Sequence, residues 1–341
     1  MTPAHPLTIA YSDIYLEWML GDGSGDHPTN PVRARLAVEQ LQQRFGEANT
    51  PSSDVRVLDP MGVSVDRARE AIESIHDAAY VAGVLDEGIS AEWWGARPEM
   101  GLTALAMFAG TMRLVDAISA GEARVAFNPQ GAKHHAARNH SSGFCVFNDM
   151  AWAALELERQ GLRPLYLDWD IHAGDGVQNL LAESPIPTLS IHGYSTFPFD
   201  PATIDVGKAA AGTRHTRHDP DRAVFNWALS DGDGDGHLLQ ALEEARAVID
   251  DYQPGVILLA AGADGLVGSP LGTGAYTHGG LIEAAAVVAE LAARHSEGRV
   301  LVGGAGGYQP LTDTPRAWAN MVGMLHAGSA TTTSAIKGGQ R

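Results

Sequence analysis

The stretch LYLDWDIHAGDGVQ, residues 165–178, begins as core and then sets Asp168, Asp170, His172 and Asp175 within eight positions. Burying unpaired carboxylates is costly, so such a cluster calls for a compensating cation. Asp170 and His172 stand two apart at the end of an apolar run, which lets both side chains project to one side. Asp264, in LLAAGADGLVGSP, also ends an apolar run and supplies a third donor. One imidazole and two carboxylates leave coordination positions for water and substrate, the pattern of a catalytic metal site rather than a structural one. The donors suit zinc, and iron(II) or cobalt fit them as well.

A hydrolytic metal site needs a base within hydrogen-bond reach, and histidine is the usual choice at neutral pH. His134 and His135, in GAKHHAARNH, offer two candidates from one loop. Such histidines need carboxylates behind them to fix tautomer and orientation. Asp168 and Asp175 are the acids left once Asp170 is assigned to the metal. Tyr308, after GGAGG, stands where a phenol could be laid over the site to stabilise charge developing on a carbonyl oxygen. Each cluster alone has an ordinary reading: a solvated strand end, a polar loop, a buried tyrosine. Their convergence argues for the chemistry.

Elements must bring them together. Apolar runs at 7–12, 123–128, 164–170, 188–193, 255–263 and 299–306 are predicted strands, several of them apolar on both faces. Helical periodicity covers about 31–47, 65–85, 100–120, 147–160, 236–250, 279–296 and 316–327. This alternation predicts an α/β fold: a single domain over 1–328, a mostly parallel multi-stranded sheet with helices on both faces, and a flexible tail at 329–341. In such folds ligands bind beyond the carboxyl ends of the strands, where all the clusters fall.

Composition narrows the class. A formal net charge of −18 over 341 residues argues against nucleic acid or an anionic membrane as partner. The single cysteine, Cys145, excludes an internal disulfide and a cysteine-based zinc site. No signal peptide or membrane span is read from the sequence, so the expectation is a soluble cytoplasmic protein; a homo-oligomer is left open.

Five ordered segments, GAKHHA, SSGFCVFND, LYLDWDIHAGDGVQ, LLAAGADGLVGSPLG and GGAGGYQP, resemble the zinc-dependent histone deacetylase superfamily of the arginase–deacetylase fold. The likeness runs from about residue 27 to 322, and GFCVFND with PRAW is most similar to the bacterial acetoin-utilisation branch, with acetylpolyamine amidohydrolases nearby. The resemblance implies hydrolysis of an N-acetylated amine with Asp170, His172 and Asp264 as metal ligands. It assigns His135, supported by Asp175, as general base and then acid. His134, backed by Asp168, tunes charge and orients water, and Tyr308 binds the oxyanion. It further implies an acyl-lysine tunnel walled by Gly143, Phe144, Phe197 and Gly306. A structural potassium ion is implied near Asp168, the carbonyls of Asp170 and His172, and Ser190. Arg33 matches an arginine placed near an internal acetate-release cavity.

The chain departs from that pattern in places. Ala173 stands where the family usually has a second histidine, and Ala132-Lys133 where two glycines usually precede the tandem histidines. The rim aspartate that grips substrate is replaced by a stretch offering Trp93 and Trp94, with Glu92 and Glu99 as acidic stand-ins, and FPGTG becomes FPFDPATIDVG. The substrate expected first is acetyl-lysine in a protein. An acetylpolyamine or other small N-acyl amine is the alternative, and a non-catalytic acyl-lysine-binding protein is a remote one. An arginase-like hydrolase ranks last. The run DGDGDG (231–236) resembles a calcium loop, but its twelfth position is Leu242, so an acidic turn with Asp235 capping the next helix is expected.

Overall fold

In a parallel sheet covered on both sides, successive residues of a strand enter opposite layers. Leu165 and Leu167 join one core cluster and Tyr166 the other. The computed structural model describes residues 5–20, 27–47, 53–198, 215–219 and 223–338, with backbone alone for 215–219 and 330–338. Among these residues nine strands form one sheet: β1 (Leu7–Ala10), β2 (Val55–Leu58), β3 (Val125–Asn128), β4 (Pro164–Asp168), β5 (Thr188–Gly193), β6 (His215–Asp219), β7 (Val224–Leu229), β8 (Val256–Ala260) and β9 (Val300–Gly303). Their order is β2-β1-β3-β9-β8-β4-β5-β7-β6, all parallel except the edge strand β6.

Helices α1 (Val32–Phe45), α2 (Val65–Glu73), α3 (Ala78–Leu85), α4 (Pro98–Ser119), α5 (Asp149–Arg159), α6 (Asp175–Leu180), α7 (Asp235–Tyr252), α8 (His278–His295) and α9 (Asp313–Gly338) cover the sheet. One core cluster joins α2 to α5 to one face, and the other joins α1, α7, α8 and α9 to the opposite face. This is the expected α/β architecture. Helix α4 is long and apolar enough to cross a membrane, but 83% of that apolar window is buried in the fold, as suits a helix enclosed on all sides.

The differences from the sequence reading have local causes. Strands β2, β6 and β7 and helix α6 were not expected. β2 is four residues long with Arg56 in its middle, and α6 is a six-residue turn beginning Asp175-Gly176. The end of the chain corrects the expected tail: α9 continues through 329–338 to Gly338. Once a helix is nucleated, adding residues is cheap, and Ala, Ser and Thr supply no breaker before Gly338. Asp235 does not cap its own helix; its carboxylate accepts from the Thr277 N–H (2.7 Å) and hydroxyl (2.7 Å), tying α7 to the start of α8.

The expected helix 65–85 is two helices broken at Ser74–Asp77. The break lets the buried His76 place Nδ1 on the Ala137 carbonyl (2.8 Å) while its Nε2 accepts from the Asn148 N–H (3.0 Å). Only neutral imidazole makes both bonds, and burial pushes His76 down to about 4. Unfolded, it titrates near 6.5, so between pH 6.5 and 4 the unfolded chain binds more protons than the folded one. The resulting stability is therefore whole above pH 6.5 and falls, by up to about 1.4 kcal/mol per pH unit, as pH drops through that window. Urea midpoints at pH 7 and 5.5 should show this loss, and His76→Gln, which does not titrate, should flatten it. An equal slope in both proteins would assign the loss elsewhere.

Candidate active site and metal centre

β3, β9, β8, β4 and β5 are consecutive in the sheet, and their carboxyl ends carry the candidate residues. His134, His135, Gly143 and Phe144 follow β3, Gly306 and Tyr308 follow β9, and Asp264 follows β8. Asp168 ends β4, with Asp170, His172 and Asp175 beyond it; Ser190 lies within β5 and Phe197 after it. Arg33 reaches in from α1.

Asp170, His172 and Asp264 are all buried, and their donor atoms lie within 4.8 Å of one another. His172 Nδ1 stands 3.0 Å from Asp170 Oδ1 and 2.8 Å from Asp264 Oδ2. Its Nε2 donates to the Leu271 carbonyl (3.1 Å), which orients the ring so that Nδ1 faces the carboxylates, donating to them as imidazolium and offering a lone pair to a metal ion as neutral imidazole. Backbone N–H groups hold the acids in turn: His172 and Gly306 donate to Asp170 (2.9 and 2.5 Å), and Ile171 donates to Asp264 (3.0 Å). Burial opposes a charge on His172, yet hydrogen bonds to Asp170 and Asp264 raise it to about 11. The donor set thus favours positive charge at its centre, and its residues fit a divalent ion. Gly306 keeps the centre open, since a Cβ there would lie 2.1 Å from Asp264 Oδ2 and 2.6 Å from Asp170 Oδ2.

Two histidine–carboxylate pairs stand beside this set. His134 Nδ1 meets Asp168 Oδ2 at 2.8 Å, and His135 Nδ1 meets Asp175 Oδ1 at 2.7 Å, with the two rings 4.0 Å apart. Asp168 is further held by the Tyr166 hydroxyl (2.6 Å) and the Asp170 N–H (2.9 Å). Their environments separate the two imidazoles. Burial disfavours charge on both, but Asp168 and Asp170 raise His134 to about 9. Burial and the neighbouring His134 lower His135 to about 4. One of the pair is therefore cationic and the other neutral at pH 7.

The loop that presents them is fastened by the FND motif. Asp149 accepts from the Ala132 and Lys133 N–H groups (3.1 and 2.8 Å), and the Asn148 amide donates to the Ala136 carbonyl (3.1 Å). Ala132, where the family usually has glycine, sits at φ +60. Gly143 takes φ +54 with its α-carbon against His135; a Cβ would lie 2.5 Å from that ring.

A cavity of about 460 Å³ descends to these groups, walled by Gly143, Phe144, Phe197 and Tyr308, with His135 and His172 at its base. The rim departs from the expected pair of tryptophans. Trp93 is buried against Trp18 with its indole N–H on the Gly88 carbonyl (2.8 Å), and only Trp94 is exposed. Of the acidic stand-ins, Glu99 pairs with Arg97 outside, while Glu92 lines the cavity and accepts from the Phe144 N–H (2.8 Å). The FPFDPATIDVG segment lies outside the described residues beyond Pro198. Arg33, Cys145 and Gly306 line a second, inner cavity of about 20 Å³ shared with Tyr308. Ser190, in register with Asp168, holds His192 Nδ1 (2.9 Å), and no hydrogen bond among the described residues reaches the carbonyls of Asp170 and His172.

Residues 27–325 match the family model described as histone deacetylase domain. The chain belongs to that family. The acetoin utilization protein AcuC of Bacillus subtilis (strain 168) is 29% identical over 325 residues, covering 91% of this chain and 80% of that protein. AcuC of Staphylococcus aureus (strain MRSA252) is 28% identical over 327 residues, covering 91% and 79%. Histone deacetylase 8 of Xenopus tropicalis is 30% identical over 224 residues, covering 65% of this chain and 57% of that protein. Among solved structures, the HDA15 HD domain is similar with a TM-score of 0.75, covering 98% of this chain and 94% of that one at 20% identity, a likeness of fold. The motif resemblance to acetoin-utilisation proteins is borne out, and family membership makes this a deacetylase-type hydrolase fold.

Sequence reasoning missed the supports of the site. The Leu271 carbonyl carries no side-chain signal, and Tyr166 looked like ordinary core. The Asn148-Asp149 pair was legible as a motif, but its grip on the histidine loop was not.

Proposed function

We propose that the protein is a metal-dependent amidohydrolase that removes an acetyl group from an N-acetylated amine, first of all acetyl-lysine in a protein. The observation that carries this is one cavity lined by His135, His172 and Tyr308, with Asp170 and Asp264 grouped around His172. Asp170, His172 and Asp264 would hold the ion, zinc by preference, with iron(II) or cobalt compatible. When bound it supplies Lewis acidity, making water a stronger acid and polarising the acyl oxygen. His135, oriented by Asp175, takes the proton from the attacking water and returns it to the departing amine. His134, kept cationic by Asp168, adds fixed positive charge beside the reacting carbonyl. Tyr308 donates its hydroxyl hydrogen bond to the oxygen on which charge develops. Phe144 and Phe197 exclude solvent from the acyl chain. Potassium is the proposed occupant near Asp168, Ser190 and the Asp170 and His172 carbonyls, where it would brace the strand end carrying two of the ligands.

Glu92 supports a second reading. It is the acid among the described residues lining the outer cavity, and Lys and Arg are absent from that lining. A cationic small amine such as an acetylpolyamine would be drawn to it. Acetate release from an acetyl-lysine peptide, acetylputrescine and acetylspermidine, with and without chelator, decides between the two. Chelator-sensitive release from the peptide is the expected result, and a preference for the polyamines favours the second reading. No release from any of them by metal-loaded protein overturns both.

A further inference from the structure

We propose that His278 and Asp313 form a positioning clasp that fixes where the Tyr308 hydroxyl lies over the metal site, although neither residue lines the channel. Its effect on turnover rests on the reading of Tyr308 above; the clasp as a tie between two segments does not.

Nothing at the phenol itself sets its place. No hydrogen bond among the described residues holds the Tyr308 hydroxyl, and its ring meets Phe144 and His172 edge-on at centroid distances of 6.3 and 6.0 Å. The position must come from the loop. Before Tyr308, the Gly306 carbonyl accepts from the Ala263 N–H (2.7 Å), which ties the loop to the residue preceding Asp264. After Tyr308, the loop is fastened to α9. The Gln309 N–H donates to the Thr314 hydroxyl (3.1 Å), and the Gln309 carbonyl accepts from the Thr314 N–H (3.2 Å). Gly307 packs its α-carbon against the Thr314 side chain with no room for a Cβ. Thr314 is fully buried and is the second residue of α9, so Tyr308 goes where the start of α9 goes.

The start of α9 is held in turn by α8. Nε2 of His278, the first residue of α8, donates to Oδ1 of Asp313, the first residue of α9, at 2.9 Å. That bond above all holds the Asp313 carboxyl below the ordinary carboxylate range. On its other side α8 is anchored to the metal site. Two residues before His278, the Tyr276 N–H donates to the Gly265 carbonyl (2.9 Å) and the Tyr276 carbonyl accepts from the Val267 N–H (3.0 Å). The clasp therefore closes a ring of contacts that runs from Asp264 through Tyr276 and the pair to Thr314 and Tyr308, and returns through Gly306. It spans a metal ligand and the oxyanion donor, whose separation must match the carbonyl lying between them. Its part in stability is small. The pair is partly exposed, and such pairs contribute little. Leu281 and Val288 of α8 share a core cluster with Trp318 and Val322 of α9, which keeps the helices packed without it.

Turnover of the metal-loaded protein on an acetyl-lysine peptide tests the clasp. His278→Leu and Asp313→Ala should each lower kcat about tenfold, with KM, metal content and melting temperature unchanged, because a small misplacement of a reacting group is costly. His278→Gln, which keeps a donor at similar reach, should recover most of the rate. The two losses should not add in the double variant, and His278→Leu should cost nothing further in a Tyr308→Phe background. Unchanged kcat in both single variants, a loss that appears in KM or melting temperature instead, or full additivity with Tyr308→Phe overturns the clasp. A fluorinated tyrosine placed at position 308 reads the geometry without turnover. Its fluorine resonance should move in His278→Leu and Asp313→Ala and return in His278→Gln. A moved resonance with Tyr308→Phe as fast as wild type would keep the clasp and sink the oxyanion role, whereas an unmoved resonance with a slow Tyr308→Phe would do the reverse.

Discussion

Asp264→Asn should fold, hold no divalent ion through purification, and turn over at less than about a thousandth of the wild-type rate, the loss expected when several kcal/mol of Lewis-acid stabilisation disappear. The asparagine carbonyl can still accept the Ile171 N–H that Asp264 Oδ1 now accepts at 3.0 Å, so the local backbone has its partner. What changes is the other terminal atom. Asp264 Oδ2 lies 2.8 Å from His172 Nδ1, and an amide NH₂ there would aim a donor at the ion and remove half of the compensating charge. Stability supplies an independent check. Asp170 and Asp264 are both fully buried, and adjacent buried carboxylates repel unless a cation lies between them. With chelator present, the variant should therefore melt no lower than the wild type, while added metal should raise only the wild-type midpoint. Elemental analysis, turnover and melting with and without chelator measure the three effects. Stoichiometric metal in the variant with more than a tenth of normal turnover would remove Asp264 from the ligand set.

How much of this was legible without coordinates depended on whether a signal was chemical or merely geometric. Asp170, His172 and Asp264 could be grouped because their types and their places at strand ends agree, and the fold brings them within 4.8 Å. The sheet was legible where strands are buried on both faces, as in VILLA of β8 and PLYLD of β4. It was not legible at β2, where only Val55 and Leu58 are buried, or at β7, where the buried Asn226 breaks the apolar run and is satisfied by Gln178 from α6. Trp93 and Trp94 are adjacent and alike in sequence, yet one is 4% exposed and the other 87%. Only the partner of Trp93 across the fold, Trp18, decides which turns inward. The break between α2 and α3 is of the same kind. His76 finds its partners at Ala137 and Asn148, more than sixty residues away, and no local pattern encodes that.

Tyr308→Phe should keep its metal and its melting temperature and lose about 10²–10³ in kcat, the usual effect of deleting one donor to a developing oxyanion. The ring packs edge-on near Phe144 and His172, with centroids 6.3 and 6.0 Å away, and phenylalanine preserves both contacts. No hydrogen bond among the described residues occupies the Tyr308 hydroxyl, so removing it breaks nothing in the fold. Burial, with Asp264 and Asp170 nearby, holds the phenol well above its ordinary range, so it is a neutral donor throughout the working pH. Its position is set by the glycine run before it. The Gly306 N–H is bound to Asp170 and the Gly306 carbonyl accepts from the Ala263 N–H (2.7 Å), so the loop carrying the phenol is tied to both ligand-bearing segments. A donor placed this way acts on the oxygen as charge accumulates, not on the resting amide. The loss should therefore fall on kcat with KM little changed. A variant that instead raised KM at constant kcat would make Tyr308 a wall of the channel. A variant within a few-fold of wild type on both would leave the oxyanion without its proposed donor, and the search would pass to His134, the cationic group proposed beside the reacting carbonyl.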